Sequence, residues 1–494
     1  MLIYQIRWRS AGPAGTQSIR ESSIRDLRTY LAAEKTAVFR PGHPVSTVHE
    51  ITALQYALEK QGRRPIVVID KPVLANGKIS DIQVVCNLTA SRALVARALG
   101  INDHRSAAPI YAKKTGNPIA PKIVSAQDAP VQEIVLEGDK ADLTLIPALK
   151  QHSYDPGAYL TAAHATTYDP DTGVDNTAIQ RCWIKSPSKM SYYPYPASHN
   201  NRNMRKFWAK GQDCPVVFWI GHHPAVLMGT QAKLGYPESH WSACGGLIGE
   251  PLRLVPSRTF GEKIMVPADA EIVIEGYALK DQLEADGPFG EYTGYSGPQV
   301  AAPVFKVTCI TMRKHALYHD YGSGLTDMLV PDNMAMEGKV YSIVKAVAPA
   351  LTNVHVPAQG RRFHAYMQFS KPGPGEVRDA LAAALAYRRL KMVIAVDDDI
   401  DMFDDSEMMF ALATRVQWSR DSFTIDGMSG SLLDPSTAAG AKTLSKMAID
   451  ATFPLPPFPG APSPVPPRST VPEASMAAAA KLLNGIDMSE WPTL

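Results

Sequence analysis

Two acidic side chains flank a short turn in the second half of the chain. The segment reads Asp286-Gly-Pro-Phe-Gly-Glu291, and its glycine and proline residues prevent a helix and hold both carboxylates on a compact turn. Carboxylates that share a cleft differ in proton affinity, so one can pair with a cation while the other carries a proton. The segment therefore predicts either a proton-transfer site or, as the alternative, a solvated acidic turn.

A second segment with chemical potential is Asn176-Thr-Ala-Ile-Gln-Arg181. Arg181 could hold a substrate carboxylate through two parallel hydrogen bonds, a geometry that lysine cannot match. On a regular strand Asn176 and Arg181 point to opposite faces, so a bend or bulge is needed for both to serve one site. An arginine on a strand surface is the alternative interpretation.

Several of the 13 histidines lie in segments where an imidazole could bind a metal. His199, in the loop-like YPASHNNR, could reach a metal together with the amide oxygen of Asn176. His222, His223 and His240 could suggest a zinc site, but no HExxH or Cys/His spacing accompanies them. These patterns disfavour a zinc hydrolase.

Other motifs point away from common functions. The acidic residues between 397 and 401 could bind a divalent cation, although a solvated loop after a strand is the preferred interpretation. The chain contains neither a GxGxxG fingerprint after a strand nor a GxxxxGK[ST] loop. A dinucleotide-binding or P-loop protein is therefore not expected.

Composition sets the class of protein. The 494 residues predict two or three domains, and 50 basic against 48 acidic residues without a basic, aromatic-rich stretch predict no binding of nucleic acid. Five widely separated cysteines predict reduced thiols. No apolar run has the length of a signal peptide or membrane span, so we expect a cytoplasmic protein with no membrane partner.

Apolar periodicity indicates the elements that must position these residues. Helices are predicted at 24–35, with Ser23 as a candidate cap, at 48–62 and at 91–100, around a strand at 63–71. Short β-rich runs then predict a sheet or barrel, before helices return after about residue 335. The predicted domains are an α/β domain at 1–125, a β domain at 126–318, an α/β domain at 319–455, and a Pro-rich linker with a terminal helix at 456–494.

In this order the segments NTAIQR, EIVIEG, DGPFGEYTGY and VIAVDDDIDMFDDSEMMFALATR resemble the UbiD family of decarboxylases. CNLTASRALVARALG, IGEPLRLV and VPADAEIVIEG extend the resemblance over nearly the whole chain. It implies an α/β (α+β) fold of the UbiD type. Such a fold has an N-terminal α/β domain, a central split β-barrel that binds flavin, and a C-terminal α/β domain that forms oligomers and carries the terminal helix.

The resemblance also implies cofactors. Family members bind prenylated FMN, with a divalent metal, usually manganese, and potassium bridging its phosphate to the protein. The family's third metal ligand is a glutamate, whereas this chain has His240 there, with Glu238 as a second candidate. The implied metal ligands are Asn176, His199 and His240, and the implied cofactor contacts are Asn176, Ile179, Gln180, Arg181, Ser198, His199 and His240.

Three catalytic roles follow from the same resemblance. Arg181 is expected to hold the substrate carboxylate, Glu291 to donate the proton that replaces carbon dioxide, and Asp286 to orient both. Asp286 is one methylene shorter than the glutamate usual in the family, which leaves its contact with Arg181 open. The segment 428–435 is the expected lid, and His319 is expected to contact a ring substituent.

The implied reaction is the reversible, non-oxidative decarboxylation of an aromatic or heteroaromatic (α,β-unsaturated) carboxylic acid through a covalent prenylated-flavin adduct. A flavin prenyltransferase of the UbiX type would supply the cofactor, and a homodimer or higher homo-oligomer is expected. Two alternatives stay open: a metal-dependent hydrolase built on the histidines, and a non-catalytic partner that binds flavin or metal, suggested by Asp286 and His240.

Overall fold

The computed structural model describes residues 25–437, 441, 443–454 and 466–487. The N-terminal elements are α1 (Leu27–Ala33), β1 (Val38–Phe39), β2 (Val45–Ser46), α2 (Glu50–Lys60), β3 (Ile66–Ile69), β4 (Pro72–Val73), β5 (Gln83–Cys86), α3 (Arg92–Ala98), α4 (Ala107–Thr115) and β6 (Lys122–Ile123). Their main sheet has the order β1-β3-β5 and gains a fourth strand from much later in the chain.

The predicted cap of the first helix is wrong. Asp26 is the N-cap of α1, because its carboxylate accepts the N–H of Thr29 at 2.7 Å while the Thr29 hydroxyl accepts the N–H of Asp26 at 3.1 Å. This reciprocal pair satisfies two helix donors at once, so the helix begins there. Ser23 and Ile24 lie outside the described residues.

The central region contains β7 (Ile134–Glu137), β8 (Tyr159–Tyr168), β9 (Asp175–Ser186), β10 (Lys189–Ser191), α5 (His199–Ala209), β11 (Cys214–Ile220), α6 (Pro224–Thr230), α7 (His240–Ile248), β12 (Arg253–Ser257), β13 (Gly261–Pro267), β14 (Ile272–Asp286), β15 (Phe289–Gly290), β16 (Ser296–Gly297), β17 (Val300–Met312) and β18 (Leu317–His319). Six strands close an antiparallel barrel in the order β10-β9-β8-β11-β14-β17, because β17 pairs back onto β10. Phe218 and Phe305, on strands that are not neighbours, approach within 4.9 Å and fill the interior. The predicted mixed α/β fold with a central β-barrel is confirmed.

After the barrel, β18 pairs in parallel with β5 and so completes the N-terminal sheet. The C-terminal elements are α8 (Thr326–Lys345), β19 (Leu351–His355), β20 (His364–Phe369), α9 (Glu376–Leu385), β21 (Met392–Asp397), α10 (Asp405–Arg415), α11 (Trp418–Asp421), β22 (Ser422–Met428), β23 (Leu444–Asp450) and α12 (Glu473–Leu483). Their sheet has the order β19-β20-β21-β23-β22. The loop between β18 and α8 thus connects the barrel and N-terminal sheet to the C-terminal region.

Helix α8 begins earlier than the sequence predicts and continues through Pro331. Proline lacks the N–H that would bond to the carbonyl of Asp327, four residues before it. The hydroxyl of Thr89 donates to that carbonyl at 2.7 Å instead, so the proline leaves no backbone acceptor without a hydrogen bond there. No helix among the described residues is long and apolar enough to span a membrane. The five cysteines are buried and free, and most of the Pro-rich linker lies outside the described residues.

Candidate active site

Arg181, on β9, contacts both acids of the turn that follows β14. Its Nε and Nη2 donate to Oδ2 of Asp286 at 3.0 and 2.7 Å, and its Nη1 donates to Oε1 of Glu291. The Asp286 side chain is completely buried, and those of Arg181 and Glu291 are 15% and 13% exposed. Arg181 lies 105 residues before Asp286 and 110 before Glu291 in sequence, yet the three groups form one buried ionic network.

Neighbouring side chains hold Asp286 in place. Its second oxygen, Oδ1, accepts the hydroxyl of Ser191 at 2.7 Å, and the N–H of Gly287 donates to the hydroxyl of Tyr159 at 3.0 Å. The Phe289 ring lies 5.4 Å from the Arg181 guanidinium and 4.4 Å from the Tyr159 ring. The proline and glycine of the turn thus place both acids on one side, facing the same arginine.

The pKa values of Glu291 and Arg181 are both raised in this network. Burial raises the pKa of Glu291, with a further contribution from Asp286, although Arg181 and Arg362 act in the opposite direction. For Arg181 burial opposes the charge, but Glu291 and Asp286 outweigh it and raise its pKa. Burial thus makes the Glu291 carboxylate hold a proton more tightly than an exposed glutamate does.

The bulge that the sequence requires near Arg181 is present. Leu160 pairs with Cys182 and Ala163 with Gln180, so two residues of β8 stand opposite Arg181 alone. The irregularity lies at Arg181 itself, and the pairing of β9 from Asn176 to Gln180 is regular. Ile179 and Gln180 lie within this stretch and are half-buried.

Asn176, His199 and His240 meet where two helices begin. Asn176 is buried and its Nδ2 donates to Oδ1 of Asn200 at 2.7 Å, while the N–H of Thr177 donates to Nδ1 of His240 at 3.4 Å. His199 and His240 are the first residues of α5 and α7. Ser198 and Ser239 cap these helices. Helix N-termini favour an anion, so the arrangement suits a phosphate group.

The same residues supply metal donors but no carboxylate. Burial, followed by His199 and Lys233, lowers the pKa of His240 to about 3, so its ring is neutral as a metal ligand must be. However, the ring already accepts from Thr177 and hydrogen-bonds the backbone of Ala232. Glu238 is exposed and accepts the N–H of Gly235 at 2.6 Å. The described part of the chain holds no ready cluster of three His, Cys, Asp or Glu residues for a metal ion.

The sequence patterns do not predict a cationic cluster that lies next to this site. Lys233, Arg362 and Arg389 all pair with the single carboxylate of Asp332. Burial alone would raise the pKa of Asp332, but the three cations hold it well below its ordinary value. Burial and the two arginines, despite Asp332, lower the pKa of Lys233 to about 8.

Three cations around one acid leave an excess of positive charge in a sheltered position. The Nε of Arg362 has no hydrogen-bond partner among the described residues, and Lys233 influences the pKa of His240. The cluster therefore borders the helix N-termini and fits an anionic group such as a flavin phosphate. No local sequence signal could reveal it, because its members come from separate elements.

The other candidate residues are placed as follows. His223 caps α6 through its Nδ1, and the N–H of His223 donates to Nδ1 of His222 at 2.8 Å. The charged groups near His222 are Asp26, Arg313 and Arg253, whereas His240 lies near His199 and Lys233. The four histidines of the hydrolase hypothesis therefore form two separate groups.

The acidic run after β21 consists of paired acids. Asp399 binds Arg415 at 2.5 Å, Asp401 binds Arg105 at 2.8 Å, and Asp398 accepts the hydroxyl of Ser370 at 2.8 Å. This supports the interpretation that the run is not a cation site.

The predicted lid segment contacts Tyr292, next to the turn that carries Asp286 and Glu291. The hydroxyls of Ser431 and Tyr292 lie 2.6 Å apart, and Tyr292 directly follows Glu291. Leu432 is 70% exposed. His319 is fully buried beside the Tyr321 ring, at 4.6 Å, and burial lowers its pKa to about 3.

Comparison with known proteins identifies the class. Models for the N-terminal, Rift-related and C-terminal domains of 3-octaprenyl-4-hydroxybenzoate carboxy-lyase match residues 40–113, 122–325 and 333–451. An anhydromevalonate phosphate decarboxylase from Methanothermobacter thermautotrophicus is 30% identical over 394 residues, 78% of this chain and 89% of the relative.

Solved structures agree. The UbiD-class enzyme HmfF from Pelotomaculum thermopropionicum, in complex with FMN, is 32% identical with a TM-score of 0.83 and covers 94% of this chain and 100% of that one. An evolved dimeric form of HmfF contains prenylated FMN and is 30% identical, with a TM-score of 0.82, over 93% of this chain and 100% of its own. A 3,4-dihydroxybenzoic acid decarboxylase from Enterobacter cloacae is 25% identical, with a TM-score of 0.81, over 92% of this chain and 99% of its own.

The barrel and the domains around it thus define a class of decarboxylases. The chain is a member of the UbiD family, and its activity is that of a carboxy-lyase. The flavin complexes among its relatives support a flavin cofactor. The hydrolase hypothesis is wrong, and the expected carboxy-lyase activity is confirmed.

Proposed function

We propose that the protein decarboxylates an aromatic, heteroaromatic or other α,β-unsaturated carboxylic acid with prenylated FMN as cofactor, in a reaction that can also run in reverse. The observation that carries this proposal is the contact of Arg181 with both Asp286 and Glu291 inside a buried cluster. A cation that already binds carboxylates, next to an acid with a raised pKa, suits the capture of a carboxylate and the delivery of a proton.

Loss of carbon dioxide from an sp2 carbon leaves an electron pair that amino-acid side chains cannot accept. Prenylated FMN, when bound, would supply that electron sink. Lys233, Arg362 and Arg389 would hold its phosphate, because these cations exceed the single carboxylate of Asp332. Lys233 lies close enough to His240, the first residue of α7, to influence its pKa, which supports this assignment.

In this proposal the substrate carboxylate binds Arg181 and takes the place of Glu291 on Nη1. Asp286 keeps Arg181 oriented, since it occupies Nε and Nη2 and is itself anchored by Ser191. Glu291, released from the arginine, favours its protonated form even more because its main opposing cation is then neutralised. It donates the proton to the carbon atom that has lost carbon dioxide.

We keep Asn176, His199 and His240 as the proposed ligands of a divalent metal, Mn²⁺ in the first place, with K⁺ as a second cation. His240 must exchange one of its present hydrogen bonds for the metal. Metal analysis of purified wild type, His240→Ala and Glu238→Ala distinguishes the two candidate third ligands. Loss of metal only in Glu238→Ala would remove His240 from the set.

The proposed function is tested on protein produced together with a UbiX-type flavin prenyltransferase. Carbon dioxide release is measured from 3,4-dihydroxybenzoic acid, 2-furoic acid, cinnamic acid and anhydromevalonate phosphate, which represent aromatic, heteroaromatic and acrylic-type acids. Flavin-dependent release in wild type and its loss in Glu291→Gln are expected. Full turnover by Glu291→Gln would contradict the role of Glu291, and no release from any of the four acids would contradict the substrate class.

We further propose a homodimer or larger homo-oligomer in which the terminal helix contacts another copy. Met476, Leu482 and Leu483 of α12 are 58%, 78% and 47% exposed in the single chain. Apolar side chains of this size gain free energy when a second surface covers them. The molar mass measured by light scattering should fall when Leu482 and Leu483 are both changed to Ser.

A further inference from the structure

A cavity opens on the side of Glu291 that faces the N-terminal region. Its volume is about 680 Å³, and its walls come from α2, the loop 151–154, the turn 290–296 and Ser323. Glu291 is part of this lining, and its side chain is 13% exposed. The cavity therefore connects the proposed proton donor with solvent.

One imidazole in this wall packs directly on the catalytic turn. The ring of His152 lies so close to Gly290 that a Cβ atom there would overlap Nδ1 and Cε1. Gly290 immediately precedes Glu291, and it has to be glycine for the ring to approach. Among the imidazoles that line this cavity, His152 is thus packed against the residue next to the proposed donor.

The carboxylate of Asp155 fixes that imidazole and the turn together. Its Oδ2 accepts the backbone N–H of His152 at 2.8 Å and faces the ring Nδ1 at 3.5 Å, while its Oδ1 accepts the N–H of Gly290 at 3.3 Å. On the other side of the ring, Nε2 lies 3.4 Å from the hydroxyl of Tyr56. The imidazole therefore stands between the solvent-exposed end of α2 and the turn that carries Glu291.

The proposed reaction consumes one proton in every turnover. Glu291 gives its proton to carbon and is left as a carboxylate beside Arg181, which stabilises the charged form. Another turnover requires a new proton from solvent, yet the Glu291 side chain is only 13% exposed. An imidazole that lines the same cavity and packs against the residue next to Glu291 is suited to deliver it.

We propose that His152 relays protons from solvent in this cavity to Glu291, with Asp155 and Tyr56 holding its ring. The inference rests on the proposed function of Glu291. In the decarboxylation direction the imidazolium of His152 gives its proton, through cavity water, to the Glu291 carboxylate, and the neutral imidazole takes another from solvent. The sum is one proton taken up and one carbon dioxide released, without any oxidant or reductant.

Groups of both charge signs lie around His152, and none of them blocks the route from the cavity to Glu291. Asp155 lies on its own loop, Tyr56, His49 and Lys60 come from α2, and Glu291 and Tyr295 come from the turn.

The test compares His152→Ala with Lys60→Met in enzyme loaded with prenylated FMN, using the acid that wild type converts fastest. For His152→Ala we expect one molecule of protonated product per site at the wild-type rate, from the proton already on Glu291, followed by turnover slowed about 100-fold. Added imidazole, which fits the enlarged cavity, should restore turnover in proportion to the concentration of its protonated form. Lys60→Met should keep both phases, because Lys60 lines the same cavity without contact to the turn.

Three results would overturn the relay. Wild-type turnover by His152→Ala, together with an inactive Glu291→Gln, would leave the proposed function intact and remove His152 from it. Slow turnover without an initial burst and without imidazole rescue would assign His152 a purely structural role. A raised KM with unchanged kcat would make the cavity a substrate site. Activity of Glu291→Gln, in contrast, would contradict the proposed function itself.

Discussion

Arg181 binds Asp286 through a single carboxylate oxygen: both Nε and Nη2 of the arginine donate to Oδ2 of the aspartate, at 3.0 and 2.7 Å. The other oxygen, Oδ1, is held by Ser191 at 2.7 Å. A carboxylate one methylene shorter than the glutamate expected at this position therefore still reaches the guanidinium. The position of the backbone makes this contact possible. Asp286 is the last residue of β14, where it pairs with Val300 of β17, and the turn starts there.

This geometry predicts that charge matters more than length at position 286. In Asp286→Asn an amide replaces the acceptor of two hydrogen bonds from Arg181, so the arginine is free to rotate towards Glu291. We expect kcat to fall by about 100-fold, since a charged hydrogen bond contributes roughly 1.5–3 kcal/mol. Asp286→Glu restores the acid with one extra methylene and should keep more activity than Asp286→Asn. Equal activities of the two variants would show that the carboxylate does not orient Arg181.

The cationic cluster predicts a specific loss of flavin binding. Lys233→Met and Arg389→Met each remove one of the three cations around Asp332 while preserving most of the side-chain volume. We expect the Kd for FMN, measured by quenching of flavin fluorescence, to rise by about 10-fold in each variant, equivalent to roughly 1.4 kcal/mol. Lys206→Met is the control, because Lys206 pairs with Asp169 and Asp171 away from the cluster. An unchanged Kd in both cluster variants would place the flavin phosphate elsewhere.

Asp320 predicts how stability depends on pH. Burial raises its pKa from 3.8 to about 7, in spite of hydrogen bonds from Thr161, Tyr318 and Gln151. The folded protein therefore binds this proton more tightly than the unfolded chain. The free energy of unfolding should fall as pH rises from about 4 to about 7, and this contribution should be constant below and above that window.

Asp320→Asn removes that titration. The amide resembles the protonated acid, and its Nδ2 can donate to the Tyr318 hydroxyl, which now donates to the carboxylate at 2.8 Å. The decrease in thermal stability between pH 4 and pH 7 should become shallower, with the remainder partly due to Asp327, whose pKa is raised to about 6. Exposed Asp139→Asn should leave the slope unchanged. A slope for Asp320→Asn equal to that of wild type would mean that Asp320 is ionised in the folded protein.

Local patterns predict much of this fold, and their failures have physical causes. The predicted helices at α2 and α3 and the strand β3 form where apolar spacing indicates. The cap of α1 is Asp26, not Ser23, because a reciprocal bond with Thr29 decides between neighbouring polar residues. The early start of α8 could not be predicted, since a proline normally ends a helix and only the distant Thr89 satisfies the freed carbonyl.

The site shows the same limit. The motif around Asp286 and Glu291 and the position of Arg181 are readable because each lies in a short, characteristic segment. The cation cluster is not, because Lys233, Asp332 and Arg389 meet only after the C-terminal region packs on the barrel. Likewise, no sequence pattern connects His152 to Gly290, because the two residues lie 138 positions apart.

That contact gives the most demanding prediction. In Gly290→Ala the new methyl group overlaps the His152 imidazole, so the ring or the turn has to move. The turn also bonds to Asp155 through the Gly290 N–H and to the Ser323 hydroxyl through the Gly290 carbonyl, which resists displacement. We expect a lower Tm and a loss of kcat, whereas Gly373→Ala, where the nearest atom would lie at 3.4 Å, should change neither.

The double variant Gly290→Ala/His152→Ala separates packing from proton delivery. Removing the imidazole makes room for the methyl group, so Tm should recover towards that of His152→Ala alone, a coupling that two independent sites would not show. Turnover should stay low because the relay is still missing, and imidazole should rescue it as in the single His152→Ala variant. If Tm recovers and turnover returns without imidazole, the ring matters only as a packing surface for Gly290, and protons reach Glu291 by another path.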